Sequence, residues 1–233
     1  MKILAIDTSN VPLGVAITEG EKILGETIIN TKRNHSVQLM PTVQRLMEDV
    51  SVTPKELGAI AVAQGPGSYT GVRIGVTTAK MMAWALEIPL IGISSLEILC
   101  HNVPMFSGYI VPIFDARRGK VYTGLYQNDS MGNIHLVKQD RIILLSDWLD
   151  ELHDLEGPVV FLGLDLPLHK NLIQQKMNHR AIFLSSFYSV PRPSVLGKLA
   201  YSKGGDQGED VYQFAPRYLQ LAEVEMKWME RQG

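Results

Sequence analysis

The sequence predicts an α/β fold of two similar lobes, each with a mixed β-sheet flanked by helices. Three observations support this prediction. Short apolar runs typical of buried strands alternate with helical patterns along the 233 residues. A strand that ends in an aspartate and is followed by a hairpin occurs twice, at Asp7 and at Asp115. A chain of this length also has room for two lobes of about a hundred residues each, which we place over residues 1–103 and 104–233.

The first lobe is predicted to open with three strands, because three apolar runs are separated by short turns. The run over residues 2–7 is apolar on both faces, as in a buried strand. The next run covers 13–18, and Glu19-Gly20-Glu21 marks a hairpin into 22–29. The rest of the lobe follows in this order: a helix over 35–50 whose start Pro41 should kink or delay, a short turn after a capping box at 53–56, a strand over 59–63, a glycine-rich loop over 65–71, a helix over about 70–86 and a strand over 90–93.

The second lobe is predicted to repeat the pattern of strand, turn and hairpin partner. Its elements are a strand over 109–115, a hairpin partner over 121–126, strand signals up to Leu145, a helix from Ser146 to Leu152, a strand over 159–162, a helix over 165–177, a strand over 180–184, a helix over 194–203 and an amphipathic tail helix over 223–231. In each sheet, hairpin-paired strands should therefore lie beside parallel crossovers.

The charge balance argues against a protein that binds nucleic acid tightly by itself. Lysine and arginine number 22 against 24 aspartates and glutamates, which gives a formal net charge of −2. Nucleic-acid-binding domains usually carry a basic excess or a basic stripe. We therefore expect no tight binding of nucleic acid by the chain alone.

The composition also predicts a soluble, cytoplasmic protein. Cys100 is the single cysteine, so an intramolecular disulfide is excluded and a reducing compartment is favoured. The N-terminal residues do not read as a signal peptide, and no apolar run approaches the ~18 residues that a membrane span requires.

The loop Gly65–Gly71 joins a strand to a helix, where backbone N–H groups are able to hold an anion. Neither the P-loop spacing nor the dinucleotide pattern is present, and the glycines equally suit a tight turn. The candidate residues for a nucleotide or anion are Asp7, Thr8, Gly65, Gly67 and Ser68. Actin-like ATPases place a carboxylate where Asp7 and Asp115 stand, but the glycine that follows it in those enzymes is missing here. The alternative is a strand-end carboxylate that accepts hydrogen bonds from the turn.

No self-sufficient active site is visible. The six histidines are scattered, without the spacing of a metal motif. Cys100 and His101 are adjacent, which does not suit a nucleophile and its base. We therefore predict no catalytic and no metal-ligating residue in this chain.

Five motifs resemble those of the TsaB (YeaZ) family. They are ILAIDTS at 3–9, His35-Ser36 with Leu39 and Pro41, GPGSYTGVRIG at 65–75, DARRGKVY at 115–122 and PRYL at 216–219. The resemblance implies an actin/Hsp70-like (ASKHA) fold. It also implies a role in adding threonylcarbamoyl to the adenosine next to the anticodon in tRNA.

The resemblance implies a non-catalytic subunit that pairs with a catalytic homologue of the TsaD type. That homologue carries a His-Met-Glu-Gly-His metal motif after the corresponding strand, whereas Ser95 and Leu99 stand at the two histidine positions here. No cofactor is then bound by this chain alone, and ATP or ADP and a divalent metal belong to the assembled complex. A TsaE-type ATPase would join that complex, tRNA would bind only through it, and the chain alone would form a homodimer.

The resemblance further places the partner interface on the helices over 35–50 and 70–86, which would pair as a four-helix bundle. The first helix is apolar around more of its circumference than one sheet contact needs, and small residues recur every four positions in the second. The candidate interface residues are Val37, Met40, Val43, Gln44, Met47, Val72, Arg73, Val76 and Lys80. The alternative is that both faces are buried within the lobe.

Two other functions stay open at this point. One is an enzyme of the actin-like ATPase or M22-type peptidase kind, using Asp7 and the loop Gly65–Gly71. The other is a structural homodimer with no role in tRNA modification.

Overall fold

The computed structural model describes residues 1–31, 34–103, 106–129, 132–205 and 208–219. The first sheet has the strand order β3-β2-β1-β4-β5, in which β1, β2 and β3 pair antiparallel while β4 and β5 run parallel to β1. The elements of this half are β1 (Lys2–Asp7), β2 (Leu13–Glu19), β3 (Lys22–Ile29), α1 (His35–Asp49), a 3-10 turn (Pro54–Glu56), β4 (Leu57–Gly65), α2 (Tyr69–Leu86), β5 (Leu90–Ser94) and α3 (Ser95–Cys100).

The second sheet is also mixed, with the order β11-β10-β6-β8-β7 and β9 paired to β8. Its elements are β6 (Tyr109–Pro112), β7 (Phe114–Asp115), β8 (Lys120–Asn128), β9 (Ile134–Leu144), α4 (Leu145–His153), β10 (Val159–Leu162), α5 (Leu166–Met177) and β11 (Ala181–Phe183), and α6 (Pro193–Ser202) follows. The predicted α/β class with two mixed sheets flanked by helices is confirmed.

Local details correct the sequence-based predictions in three places. Pro41 lies inside α1 and does not delay it, because Asn34 caps the helix by accepting a hydrogen bond from the Ser36 amide at 3.1 Å. Helix α4 begins at Leu145, before the predicted cap Ser146. The short helix α3 was not predicted, and it begins where Ser94 Oγ accepts hydrogen bonds from the next turn. The predicted tail helix over 223–231 lies outside the described residues.

The two faces of the first sheet are covered by different parts of the chain. Alternate side chains of β1, such as Leu4 and Ile6, pack with α1 and α2, whereas Ile3 and Ala5 pack with α6. The predicted division at residues 103 and 104 assigned α6 to the second lobe. Its buried side chains Leu196, Leu199 and Ala200 instead cover the first sheet, so the chain returns to the first lobe after β11.

Glu26 on β3 holds the start of helix α6 against the first sheet. Its carboxylate accepts hydrogen bonds from the Ser194 amide at 2.9 Å and hydroxyl at 2.5 Å, and it pairs with Arg192. Burial favours the neutral carboxyl, but the Arg192 and Ser194 hydrogen bonds outweigh it and hold the pKa of Glu26 below its usual value.

The substitution Glu26→Gln is expected to lower the free energy of unfolding at neutral pH by about 1–2 kcal/mol. A carboxyl whose pKa is depressed by folding stabilises fully above its unfolded value of 4.5 and loses that contribution as the pH falls through the folded value. The difference between parent and variant should therefore narrow in acid. Urea unfolding near neutral pH and below pH 4.5 measures this difference in the free energy of unfolding. The substitution Glu21→Gln at an exposed position is the control. A difference that does not change with pH would contradict this account.

Candidate functional site

The glycine-rich loop between β4 and α2 packs tightly against the turn that follows β1. The Ser68 amide donates to the Ser9 carbonyl at 2.7 Å, and Thr8 Oγ1 donates to the Gly71 carbonyl at 2.8 Å. A Cβ at Gly67 would lie 2.1 Å from Ser9 O, and one at Gly71 would lie 2.2 Å from Thr8 O. The Gly71 amide is also used, because it donates to Ser68 Oγ at 3.3 Å. The glycines therefore allow two backbone segments to touch, and these contacts favour the structural interpretation of the loop.

Asp7 closes the same turn rather than facing open space. Its side chain is buried, and Oδ1 accepts hydrogen bonds from the Ser9 amide at 2.9 Å and the Ser9 hydroxyl at 2.7 Å. Burial raises the pKa of Asp7, which opposes a fixed negative charge at this position. Of the candidate anion residues, Gly67 and Ser68 line a cleft, whereas Asp7, Thr8 and Gly65 are buried.

The residues at which the family resemblance places the missing metal motif are part of the core. Ser95 and Leu99 are fully buried in α3. In the described part of the chain, no three histidine, cysteine, aspartate or glutamate residues lie together in a way that could hold a metal ion. Cys100 is buried and burial raises its pKa, while burial lowers the pKa of His101 to about 4. Neither side chain is therefore poised for nucleophilic or acid–base chemistry.

The predicted interface on α1 and α2 divides into buried and exposed residues. Val43, Met47, Val72 and Val76 belong to the core cluster beneath the two helices. They cannot contact a partner without opening the lobe, so the structure corrects their assignment as interface residues. The reason is that both helices lie on one face of the first sheet and bury their shared apolar side there.

Exposed apolar side chains remain on the outer side of the same helices. Val37 is 68% exposed and Met40 is 47% exposed on α1, and Met81 and Trp84 are 56% and 53% exposed on α2. Together with the exposed Gln44 they form what we name the α1/α2 surface. Met81 and Trp84 are not among the interface residues predicted from the sequence.

A C-terminal segment over residues 208–219 runs along α2 and engages the two cations predicted for the interface. Lys80 Nζ donates to the carbonyls of Tyr212 and Phe214, both at 3.1 Å, and Arg73 Nε donates to the Tyr218 hydroxyl at 3.0 Å. Trp84 Nε1 donates to the Tyr212 hydroxyl at 3.2 Å. Arg73 and Lys80 therefore hold this segment against the helix.

The loop after β4 and the turn after β7 face each other across a cleft of about 660 Å³. One side is formed by residues 66–70 and 72, and the other by residues 114–118, 120 and 122. Arg217, Tyr218 and Leu219 of the C-terminal segment also line it. This cleft is a second candidate site, distinct from the α1/α2 surface.

Comparisons with known proteins bear on the family of this chain. A family model described as TsaD, tRNA N6-adenosine threonylcarbamoyltransferase, matches residues 22–228. The tRNA threonylcarbamoyladenosine biosynthesis protein TsaB of Bacillus subtilis (strain 168) is 48% identical over 232 residues, which cover 100% of both chains. This chain belongs to the TsaB family. The TsaB protein of Escherichia coli (strain K12) is 30% identical, over 70% of this chain and 71% of its own.

Structural similarity supports the fold of this TsaB-family chain. YeaZ from Pseudomonas aeruginosa superimposes with a TM-score of 0.76 at 24% identity, covering 94% of this chain and 99% of YeaZ. The tRNA N6-adenosine threonylcarbamoyltransferase of Anaeromyxobacter sp. (strain Fw109-5) is 34% identical over 60% of this chain, but over 47% of its own length. The resemblance seen in the sequence motifs is thus confirmed at the level of the family. Within the described ranges, no helix has the length and hydropathy needed to cross a membrane.

Proposed function

We propose that this TsaB-family chain acts in tRNA threonylcarbamoyladenosine biosynthesis as a non-catalytic subunit that binds a TsaD-type homologue. The observation that carries the proposal is the α1/α2 surface. Val37, Met40, Met81 and Trp84 expose apolar side chains on neighbouring helices. Apolar side chains exposed on two adjacent helices are typical of a protein interface, and methionines adapt to the partner's shape.

The interior of the lobe supports docking on this surface. Val43, Met47, Val72 and Val76 pack both helices onto the sheet, so a partner would meet two helices that the core of the lobe already holds in place. Docking would then need no rearrangement of the backbone, which keeps the entropic cost of binding low. A homodimer of the chain alone is proposed to use the same surface when the homologue is absent.

The proposed lack of catalysis rests on the chemistry of the residues at the corresponding positions. Ser95 and Leu99 offer no imidazole, and both are buried. The amides of Ser68 and Gly71 are occupied by Ser9 and Ser68 oxygens, so they do not form a phosphate cradle. These contacts also weigh against the ATPase and peptidase alternatives, which depend on Asp7 and this loop.

We propose that ATP or ADP and a divalent metal belong to the assembled complex and are held mainly by the partner, because the loop and the described acidic residues of this chain do not fit them. A TsaE-type ATPase is proposed as a further component, and tRNA as a ligand of the assembled complex. The proposed location is the cytoplasm, where tRNA is modified.

The isolated chain is expected to hold no stoichiometric metal after dialysis. Divalent metals require several oxygen, nitrogen or sulfur ligands, and no group of three such residues occurs in the described part of the chain. Elemental analysis of the dialysed protein measures zinc and iron. One equivalent of a tightly held metal per chain would contradict the non-catalytic assignment.

The direct test of the proposed function is reconstitution. The chain should co-purify with a TsaD-type homologue, and threonylcarbamoyl transfer to tRNA should require both proteins together. Transfer by the homologue without this chain, at the same rate, would overturn the proposed role.

A further inference from the structure

The cleft between the loop after β4 and the turn after β7 is lined by four basic side chains. Arg117, Arg118 and Lys120 lie in or next to the turn between β7 and β8, and Arg217 comes from the C-terminal segment. The chain as a whole carries a net charge of −2. Basic residues therefore gather in this cleft although the protein is slightly acidic overall.

The acidic side chains of the cleft are already engaged by other groups. Asp115 Oδ1 lies 3.1 Å from His169 Nε2, and Asp165 Oδ2 accepts a hydrogen bond from the Asp115 amide at 3.0 Å. By contrast, the side chains of Arg117 and Lys120 make no hydrogen bond or ion pair to any described residue. Their charges remain available for an anionic ligand.

An aromatic platform borders the same cleft. The rings of Tyr69 and Tyr218 stack with centroids 4.9 Å apart and an angle of 26° between their planes. The Arg73 guanidinium lies 4.4 Å from the centre of the Tyr69 ring. Both tyrosines are 40% exposed, so a planar ligand has access to part of the stack. Exposed aromatic rings beside basic groups are the combination that binds single-stranded nucleic acid.

We propose that this cleft binds a single-stranded or looped polyribonucleotide, with phosphates on Arg117 and Lys120 and a base on the Tyr69–Tyr218 stack. The inference rests on the proposed function, since it makes this chain a contact surface for the tRNA of the complex. A mononucleotide fits less well, because two amides of the loop, those of Ser68 and Gly71, already donate to Ser9 and Ser68 oxygens. The few cations also explain why tight binding is expected only in the complex, where the partner adds contacts.

The test uses an RNA anticodon stem-loop, titrated against the isolated full chain at low ionic strength and against the complex with the TsaD-type homologue. The variant Arg117→Ala/Lys120→Ala should bind the RNA roughly tenfold more weakly, and the slope of log affinity against log salt should fall by about 0.7 for each phosphate that is no longer neutralised. Tyr218→Ala should weaken binding with little change in that slope. The control is Lys22→Ala/Lys55→Ala, which removes the same charge from exposed positions outside the cleft.

Each outcome decides the proposal. Equal RNA affinity for the cleft variant and the control would overturn it. ATP binding by the assembled complex is measured alongside. If the cleft variant weakened ATP binding by the complex but left its RNA affinity unchanged, the proposal would also be overturned, because the cleft would then be a mononucleotide site. Failure of the parent chain to bind the homologue would refute the proposed function instead, and the titration of the isolated chain would still decide the role of the cleft.

Discussion

Replacing Gly71 by alanine is expected to lower the free energy of unfolding by about 2 kcal/mol or more. The added Cβ would lie 2.2 Å from the Thr8 carbonyl oxygen, which is backbone and cannot rotate away. Alanine favours a helix over glycine by about 1 kcal/mol, so the steric cost must exceed this gain. Urea unfolding of the ligand-free chain measures the difference.

Thr77→Ala is the matched control, because Thr77 lies on the exposed side of the same helix. Its stability should stay within about 0.5 kcal/mol of the parent. If Gly71→Ala, like the control, left the free energy of unfolding unchanged, the close contact between the loop and the turn after β1 would not contribute to stability. The amides of the loop would then be available for an anion, and the ATPase alternative would regain support.

Much of the fold was predictable because its local signals are strong. The hairpin at Glu19-Gly20-Glu21, the capping box over residues 53–56 and the buried strands all occur as expected. Helix α3 was missed because its apolar residues follow β5 without a break, and only the Ser94 cap separates the two. The return of α6 to the first sheet was missed because chain order places it after β11, and no local pattern shows which sheet a helix will cover.

The α1/α2 surface was predictable only in part. The sequence shows a wide apolar stripe on α1, but it does not show how much of that stripe the sheet covers. Val43 and Met47 are core residues, whereas Val37 and Met40 are exposed. The contacts of Lys80 with Tyr212 and Phe214 join residues more than a hundred positions apart. Helical periodicity therefore does not predict them.

The variant Val37→Glu/Met40→Glu is expected to stay folded and to lose the TsaD-type partner. In the monomeric chain the two carboxylates face water, so the stability of the monomer, measured at a protein concentration too low for the homodimer, should change by less than about 1 kcal/mol. In the complex they would be buried in an apolar interface without compensation, which costs several kcal/mol and lowers affinity on the order of a thousandfold.

Two further variants separate the loss of partner binding from a loss of folding. Val43→Glu puts a charge into the core of the first lobe and should unfold the chain. Phe187→Glu alters an apolar residue of the second lobe that is 89% exposed, and it should leave both folding and partner affinity unchanged.

The central claim is that the α1/α2 surface holds the partner, and the affinity of the purified homologue for Val37→Glu/Met40→Glu tests it most directly. Isothermal titration calorimetry on the folded variant, checked by a thermal melt, gives this value. We predict a melting temperature close to that of the monomeric parent, both measured at a concentration too low for the homodimer, and an affinity lower by a factor on the order of a thousand. A folded variant that binds the homologue as tightly as the parent would contradict the claim.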